Sequence, residues 1–289
     1  LSSGASESLV EFSTFVTNAA GARALGTNGS SETLTGNMLY APAGTGLGLF
    51  GSSITAVSNT AFTSNPSYPA LYVAGGGYVT IRDSSFENAA GDGGKLERTA
   101  YVDILRSTVT GAGGGAGLKL EGSSSCTVAA SRLEAPGGVG LSVGSYLELF
   151  DMSTTTGSGN SFTGLSVLAS TAVSFGAAPG LSLSSSSLSA DAAGAALAFG
   201  DAVLVATFTG LAFPAGPVVS ARAAALPAGS RITIRDATGP LGGSLYEDDP
   251  LSLVDWVPDA VPFVPPPAPA APSALVLGVS SIAWSWAPV

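Results

Sequence analysis

A repeat of 23 to 24 residues is the feature that most constrains how this chain folds. Six short strand-like segments, each ending in an apolar residue, follow one another at intervals of 24, 23, 24, 23 and 24 residues. Their final anchors are Phe15, Leu39, Phe62, Phe86, Val109 and Leu133. A fixed period of this length is typical of stacked repeats, in which one unit cannot bury its apolar face without its neighbours.

The clearest unit is the sequence ALYVAGGGYVTIRDSSFEN at residues 70–88. Apolar and polar residues alternate in two short runs, which predicts half-buried strands, and the triple glycine between the runs permits a bend. We therefore expect Leu71, Val79, Ile81 and Phe86 to lie inside the molecule. An upstream leucine recurs with a similar period, at Leu47, Leu71, Leu96, Leu118, Leu141 and Leu165.

The residue types narrow the kind of solenoid. The asparagine consensus of leucine-rich repeats is absent, and glycine interrupts nearly every window long enough for a helical repeat. Short strands separated by Gly, Ser and Asn corners favour one coil of a parallel β-helix per repeat. In this pattern the chain resembles the right-handed parallel β-helix family, the fold of pectate lyases, phage tailspikes and many bacterial surface proteins. The resemblance covers about residues 9–240 and implies a fold, not an activity.

Composition excludes several classes of function. The formal charge is −10 and the chain has two lysines, Lys95 and Lys119, so no basic face exists for nucleic acid. No apolar run approaches the roughly 20 residues needed to span a bilayer, so we expect no membrane insertion. Charged residues make up 10% of the chain, which is typical of extracellular β-rich proteins, and we expect a secreted or cell-surface location.

Three regions are predicted along the chain. Residues 1–250 form the all-β solenoid, and 251–272 are a proline-rich spacer. Residues 273–289, SALVLGVSSIAWSWAPV, resemble the opening strands of a fibronectin type III domain. Trp284 and Trp286 point the same way along a strand, so we expect this segment to pack on a neighbour or on further chain, and other copies of the protein are candidate partners.

Charge concentrates between residues 82 and 121, where 11 of the 30 charged residues lie. Aligning the repeats places Tyr72, Glu97 and Lys119 in one outward column and Thr80, Asp103 and Thr127 in another. The candidate ligand-binding residues are therefore Tyr72, Glu97, Asp103, Lys119 and Glu121, with cell-surface glycans as possible ligands. The alternative is a solvated face with coil-to-coil ion pairs.

The chain offers no recognisable catalytic machinery. It has no histidine, which removes the usual nucleophilic triads and most transition-metal sites. The resemblance implies that enzymes of this fold use carboxylates to hold calcium, or as paired acid and base, but no such motif matches here residue by residue. We predict no catalytic residue, no metal and no cofactor.

Two single residues test the alignment. Cys126 aligns with Val79 and Val102 at an inward position, which predicts a buried thiol. Arg98 aligns with the inward Val73 and Leu120. Since an unpaired arginine inside an apolar core is costly, a register shift near residues 92–95 is the better interpretation.

Two functions follow from these patterns. The favoured one is a non-enzymatic structural or adhesive segment of a larger bacterial surface protein, with association between copies. The alternative is a carbohydrate-binding or polysaccharide-degrading protein on the same scaffold. A flat face covered by Ser, Thr and Ala favours the first, and an aromatic-lined cleft with converging carboxylates favours the second.

Overall fold

The computed structural model describes residues 7–75, 77–147, 153–156, 158–176, 180–191, 194–200, 203–214, 219–223, 226–239, 246–257, 261–262, 273–278 and 281–285. The regular elements among these residues are all β-strands. The all-β prediction is therefore confirmed.

The strands are short and are numbered in chain order. The first ten are β1 (Glu7–Glu11), β2 (Thr14–Val16), β3 (Arg23–Thr35), β4 (Met38–Tyr40), β5 (Thr45–Val57), β6 (Thr60–Thr63), β7 (Leu71–Ala74), β8 (Tyr78–Arg82), β9 (Ser85–Asn88) and β10 (Gly94–Glu97). The next ten are β11 (Val102–Leu105), β12 (Thr108–Thr110), β13 (Ala116–Glu121), β14 (Thr127–Ala129), β15 (Arg132–Gly144), β16 (Tyr146–Leu147), β17 (Thr154–Thr155), β18 (Ser161–Thr163), β19 (Ser166–Phe175) and β20 (Ser182–Ser184). The last ten are β21 (Ser187–Ala190), β22 (Ala195–Phe199), β23 (Val205–Thr209), β24 (Val219–Arg222), β25 (Arg231–Arg235), β26 (Tyr246–Asp248), β27 (Val254–Val257), β28 (Val261–Pro262), β29 (Ser273–Gly278) and β30 (Ser281–Ser285).

Parallel pairing between successive coils produces three faces, here called A, B and C. Face A includes β7, β10 and β13, face B includes β8, β11 and β14, and face C includes β9 and β12. The long strands β3 and β5 run from face A into face B, whereas β15 and β19 run from face C into face A. Each strand therefore pairs with the strand one coil away, as the repeat requires.

The faces contribute inward columns of apolar side chains. On face B one column runs from Ala56 through Ile81, Ile104 and Val128 to Phe162, and it continues as far as Trp256. Leu71, Val79, Ile81 and Phe86 are all buried, as predicted. The thiol of Cys126 is buried too, at the position one coil on from Val102, and burial raises its pKa.

The corner between faces B and C carries a second, polar column that links coils through side-chain hydrogen bonds. The backbone N–H of Asn37 donates to Asn59 Oδ1 (3.1 Å), and that of Asn59 donates to Ser84 Oγ (3.1 Å). The N–H of Ser84 then donates to Ser107 Oγ (3.2 Å), and that of Ser107 to Ser131 Oγ (3.1 Å). The corner thus satisfies buried backbone donors that no strand ladder reaches.

The inward anchor of the third repeat is one residue earlier in the chain than predicted. Ala61, not Phe62, pairs with the inward Leu39 and Phe86. Phe62 instead stacks on Tyr40 on the outer side of face C, with 5.3 Å between ring centroids. The strand alternates alanine and phenylalanine across its two sides, so the size of the side chain did not reveal which one faces the core.

Two of the recurrent leucines, Leu96 and Leu165, do not lie at the predicted anchor position. Gly94, not Leu96, pairs with Leu71 and Leu118, and a Cβ at Gly94 would meet Leu118 Cδ1 at 2.9 Å. Leu96 is still buried, in the next inward column beside Val73. Leu141 pairs with Val173, not with Leu165, because the intervening coil is extended around the antiparallel pair β16–β17.

The stack continues past the predicted boundary at residue 250, since Ile234 pairs with Trp256 in β27. The region after it contains an antiparallel pair, β29 with β30. Most of the proline-rich segment lies outside the described residues, and the division into solenoid, spacer and fibronectin-like segment stays a prediction.

Candidate functional site

The charged residues of face A form a ladder of ion pairs across two coils. Lys95 Nζ lies 2.9 Å from Glu97 Oε2 and 2.9 Å from Glu121 Oε2. Lys119 Nζ lies 2.6 Å from Glu121 Oε1. The side chains of Glu97 and Glu121 are 12% and 19% exposed, so these pairs are better shielded than ordinary surface pairs.

The register corrects the predicted outward column. Tyr72 pairs with Lys95, and Lys95 pairs with Lys119, so Lys95 stands where the alignment placed Glu97. Glu97 pairs with Ala74 and Glu121 in the neighbouring column. The difference of two residues arises because Gly94, rather than Leu96, fills the inward anchor position of this coil.

The same register explains Arg98. It follows β10 with a φ of 49°, and its backbone N–H donates to Glu121 O at 2.9 Å. Its guanidinium lies 4.7 Å from the centroid of the Tyr146 ring. The predicted register shift near residues 92–95 is confirmed, because Leu96, not Arg98, pairs with Val73 and Leu120.

Aromatic and basic side chains extend the ladder toward the first coils. The Arg23 guanidinium lies 4.3 Å from the centroid of the Phe50 ring, and Phe50 meets Tyr72 edge to face at 5.5 Å. Gly48 leaves the space for this contact, because a Cβ there would meet Arg23 Cδ at 2.6 Å and Phe50 Cε2 at 2.9 Å. Arg23 and Phe50 were not among the residues predicted from the sequence. Phe50 lies two residues after Gly48, which pairs with Tyr72.

A shallow groove of about 250 Å³ opens beside this cluster. Its polar and aromatic lining comes from Arg23, Tyr68, Tyr72, Lys95 and Glu97. Tyr68 belongs to the corner that precedes β7, and it was not among the predicted site residues. With Thr45 of β5 also in its lining, the groove brings residues of four successive coils to one place.

The pKa values of three groups in this cluster are displaced away from pH 7. Burial, together with the charge and hydrogen bond of Glu97, raises the pKa of Tyr72 to about 12. Burial alone would lower the pKa of Lys95, but the hydrogen bonds and charges of Glu121 and Glu97 outweigh it and raise that pKa. Burial alone would raise the pKa of Glu121, but Lys119 and Lys95 outweigh it and lower that pKa.

Asp103 lies on a different face from the other four candidates. It belongs to the outward column of face B, between Thr80 and Thr127, as predicted. Apart from Asp103, most residues of that column carry a hydroxyl group: Thr33, Thr55, Thr80, Thr127, Ser161, Ser182, Thr207 and Thr233. The Ser182 hydroxyl donates to Ser161 Oγ at 3.2 Å. A regular hydroxyl column therefore runs along face B, beside outward positions that carry larger side chains such as Tyr78 and Arg82.

The predicted self-association residues are only partly placed. Trp284 pairs with Ala274 in the β29–β30 hairpin, and Trp286 lies outside the described residues. Within the described part of the chain, no group of three His, Cys, Asp or Glu side chains could hold a metal ion. The same residues include no helix long and apolar enough to cross a membrane.

These features define a single-chain parallel β-solenoid with a charged and aromatic cluster on one face. The family model described as "Right handed beta helix region" matches residues 23–187, which is more than half of the chain. The chain belongs to the right-handed β-helix family. No curated protein matches it.

Two solved structures show a distant similarity to this chain. The alginate lyase from Paenibacillus sp. str. FPU-7 is 14% identical, with a TM-score of 0.41 over 70% of this chain and 92% of that one. The Agl-KA catalytic domain is 10% identical, with a TM-score of 0.38 over 86% of this chain and 61% of that one. Likenesses this remote carry no argument about this chain.

Proposed function

We propose that this protein is a non-enzymatic structural or adhesive segment of a secreted, cell-surface bacterial protein. The observation that carries the proposal is the ion-pair ladder of face A. A general acid or base works best when its pKa lies near the working pH. The pKa values of Tyr72, Lys95 and Glu121 are all displaced away from pH 7. Each group therefore keeps its usual protonation state at that pH. They serve to join coils, not to transfer protons.

The hydroxyl column of face B supports the same proposal. Threonine and serine keep an exposed parallel sheet hydrated without adding charge, and strand residues of this type pack well on a pleated surface. Such a face is typical of a solenoid that acts as a spacer or an adhesive surface.

Association between copies is the testable part of this function. The strands Ser273–Gly278 and Ser281–Ser285 pair antiparallel, and the second of them contains Trp284. Sedimentation velocity of the full chain and of a chain ending at Pro272 measures whether this segment joins copies. We expect a concentration-dependent increase in mass for the full chain, which the truncation and a Trp284→Ala, Trp286→Ala variant lose. If the full chain and the truncated chain are both monomeric at the highest concentration, the association between copies is contradicted.

Glycan binding is the second candidate, and the groove beside Tyr72 favours it. Aromatic rings, a guanidinium and a carboxylate within one shallow groove match the apolar face and hydroxyl edge of a sugar ring. The test is calorimetric titration with neutral and uronic oligosaccharides. We expect Tyr72→Ala to lose binding by at least tenfold. Tyr101→Ala removes an exposed tyrosine that follows Tyr78 in the stacked pair of face B, and it serves as the control. Equal binding by both variants would exclude the groove as the glycan-binding site.

A further inference from the structure

A carboxylate interrupts one of the apolar inward columns at the start of the stack. Glu32 pairs with Ile54, which pairs with Val79, so its side chain occupies a core position of face B. Glu32 is 3% exposed, and neither of its carboxylate oxygens has a hydrogen-bond partner among the residues that the structure describes. It therefore differs from Glu97 and Glu121, whose carboxylates are both paired with lysines.

A second unpartnered oxygen lies on the same strand. Thr27 occupies an inward column of face A, where it pairs with Leu49, and its buried Oγ1 has no hydrogen-bond partner within the described part of the chain. Thr27 and Glu32 both line one cavity of about 260 Å³, together with Ser8 and the apolar side chains of Leu25 and Leu34. The two buried polar groups thus meet at a single cavity.

This arrangement needs a partner for physical reasons. An isolated ionised carboxylate in an apolar interior is costly, and buried charges in folded proteins are paired or coordinate a cation. The nearest basic residue along the chain, Arg23, holds its guanidinium over the Phe50 ring. Lys95 and Lys119 are engaged in the ladder of face A.

We propose that the cavity at Glu32 and Thr27 is a binding site for one small monovalent cation. Carboxylate and hydroxyl oxygens are hard donors, which favour hard cations over soft metals. A single positive charge balances the single carboxylate of the lining. A water occupies about 30 Å³, so the cavity has room for an ion with part of its hydration shell. The cation comes either from solution, as an alkali-metal ion, or from an ammonium group such as a lysine side chain.

The test is thermal unfolding of the whole chain at constant ionic strength. The bulky cation N-methylglucamine is replaced stepwise by sodium, potassium or methylammonium, each as the chloride. We expect a saturable rise in the melting temperature, since a ligand that binds only the folded state stabilises it. A response to sodium or potassium assigns the site to a metal ion, and a response to methylammonium alone assigns it to an ammonium group.

Three variants make the result specific. Glu32→Gln keeps the side-chain shape and should abolish the response. Thr27→Val should weaken binding about three- to tenfold, as expected for one lost bond to the ion. Glu11→Gln removes an exposed carboxylate of β1 and should leave the response unchanged. An unchanged melting temperature of the wild type in all three salts would overturn the proposal, as would a response that Glu32→Gln retains.

Discussion

The polar column at the corner between faces B and C makes a quantitative prediction for Asn59. Its Oδ1 accepts from the Asn37 N–H (3.1 Å) and from Asn37 Nδ2 (2.9 Å). Its Nδ2 donates to the carbonyl oxygens of Leu34 (2.9 Å) and Val57 (3.2 Å). Asn59→Ala removes all four bonds from a site that is 1% exposed. At about 0.5–1.5 kcal/mol for each bond, the free energy of unfolding should fall by about 2–6 kcal/mol.

A matched control comes from the repeat itself. The next coils use serine at this position, where Ser84 Oγ accepts the Asn59 N–H and donates to the Arg82 carbonyl at 2.8 Å. Asn59→Ser should therefore keep two of the four bonds and lose about half as much, about 1–3 kcal/mol. Urea unfolding followed by circular dichroism measures both losses. A serine variant as damaged as the alanine variant would refute the role given to the hydroxyl, and so would an alanine variant as stable as the wild type.

Three further predictions concern the core, the ion-pair ladder and the thiol. Ile81→Asp should abolish folding, because it buries an unpaired carboxylate in the column of face B, whereas Thr55→Asp on the outer side of that face should stay folded; soluble yield and circular dichroism distinguish them. The pKa of Glu121 is lowered in the folded state, so its stabilisation of about 1 kcal/mol is present above the ordinary glutamate pKa of about 4.3 and is lost as pH falls below it. Urea unfolding of wild type and Glu121→Gln should differ at pH 7 and converge in acid, and a constant difference would contradict the sign. The buried Cys126, whose pKa burial raises, should resist a thiol reagent at pH 8 until urea unfolds the chain, and rapid labelling of the folded protein would contradict its position.

The period of the repeat was sufficient to predict the coil, but not every side-chain position. Ile81 and Phe86 sit in strands where large apolar residues alternate with polar ones, so the inward side was evident. Phe62 follows Ala61, and both are apolar, so the pattern alone could not choose between them. Gly94 has no side chain that could mark its inward position, so the sequence pattern assigned the anchor of this coil to Leu96, two residues later.

The polar features were harder to predict because they depend on contacts between coils. Asn37, Asn59 and Ser84 recur at intervals of 22 and 25 residues, close to the period of the repeat, but the residue type at this corner position varies between Asn and Ser. The cluster of face A was found in outline through the charges at Glu97, Lys119 and Glu121. The contribution of Arg23 depends on the gap above Gly48, which only the packed structure shows.

A turnover assay tests the central functional claim most directly. The protein is incubated with alginate, pectate and neutral glucans, with and without calcium, and products are followed by absorbance of unsaturated ends and by reducing-end release. Because the charged groups of face A are held in ion pairs, we expect no product above the level of a Lys95→Met, Glu121→Gln control. Release of oligosaccharides by the wild type that Asp103→Ala or this control abolishes would contradict the account and make the protein an enzyme.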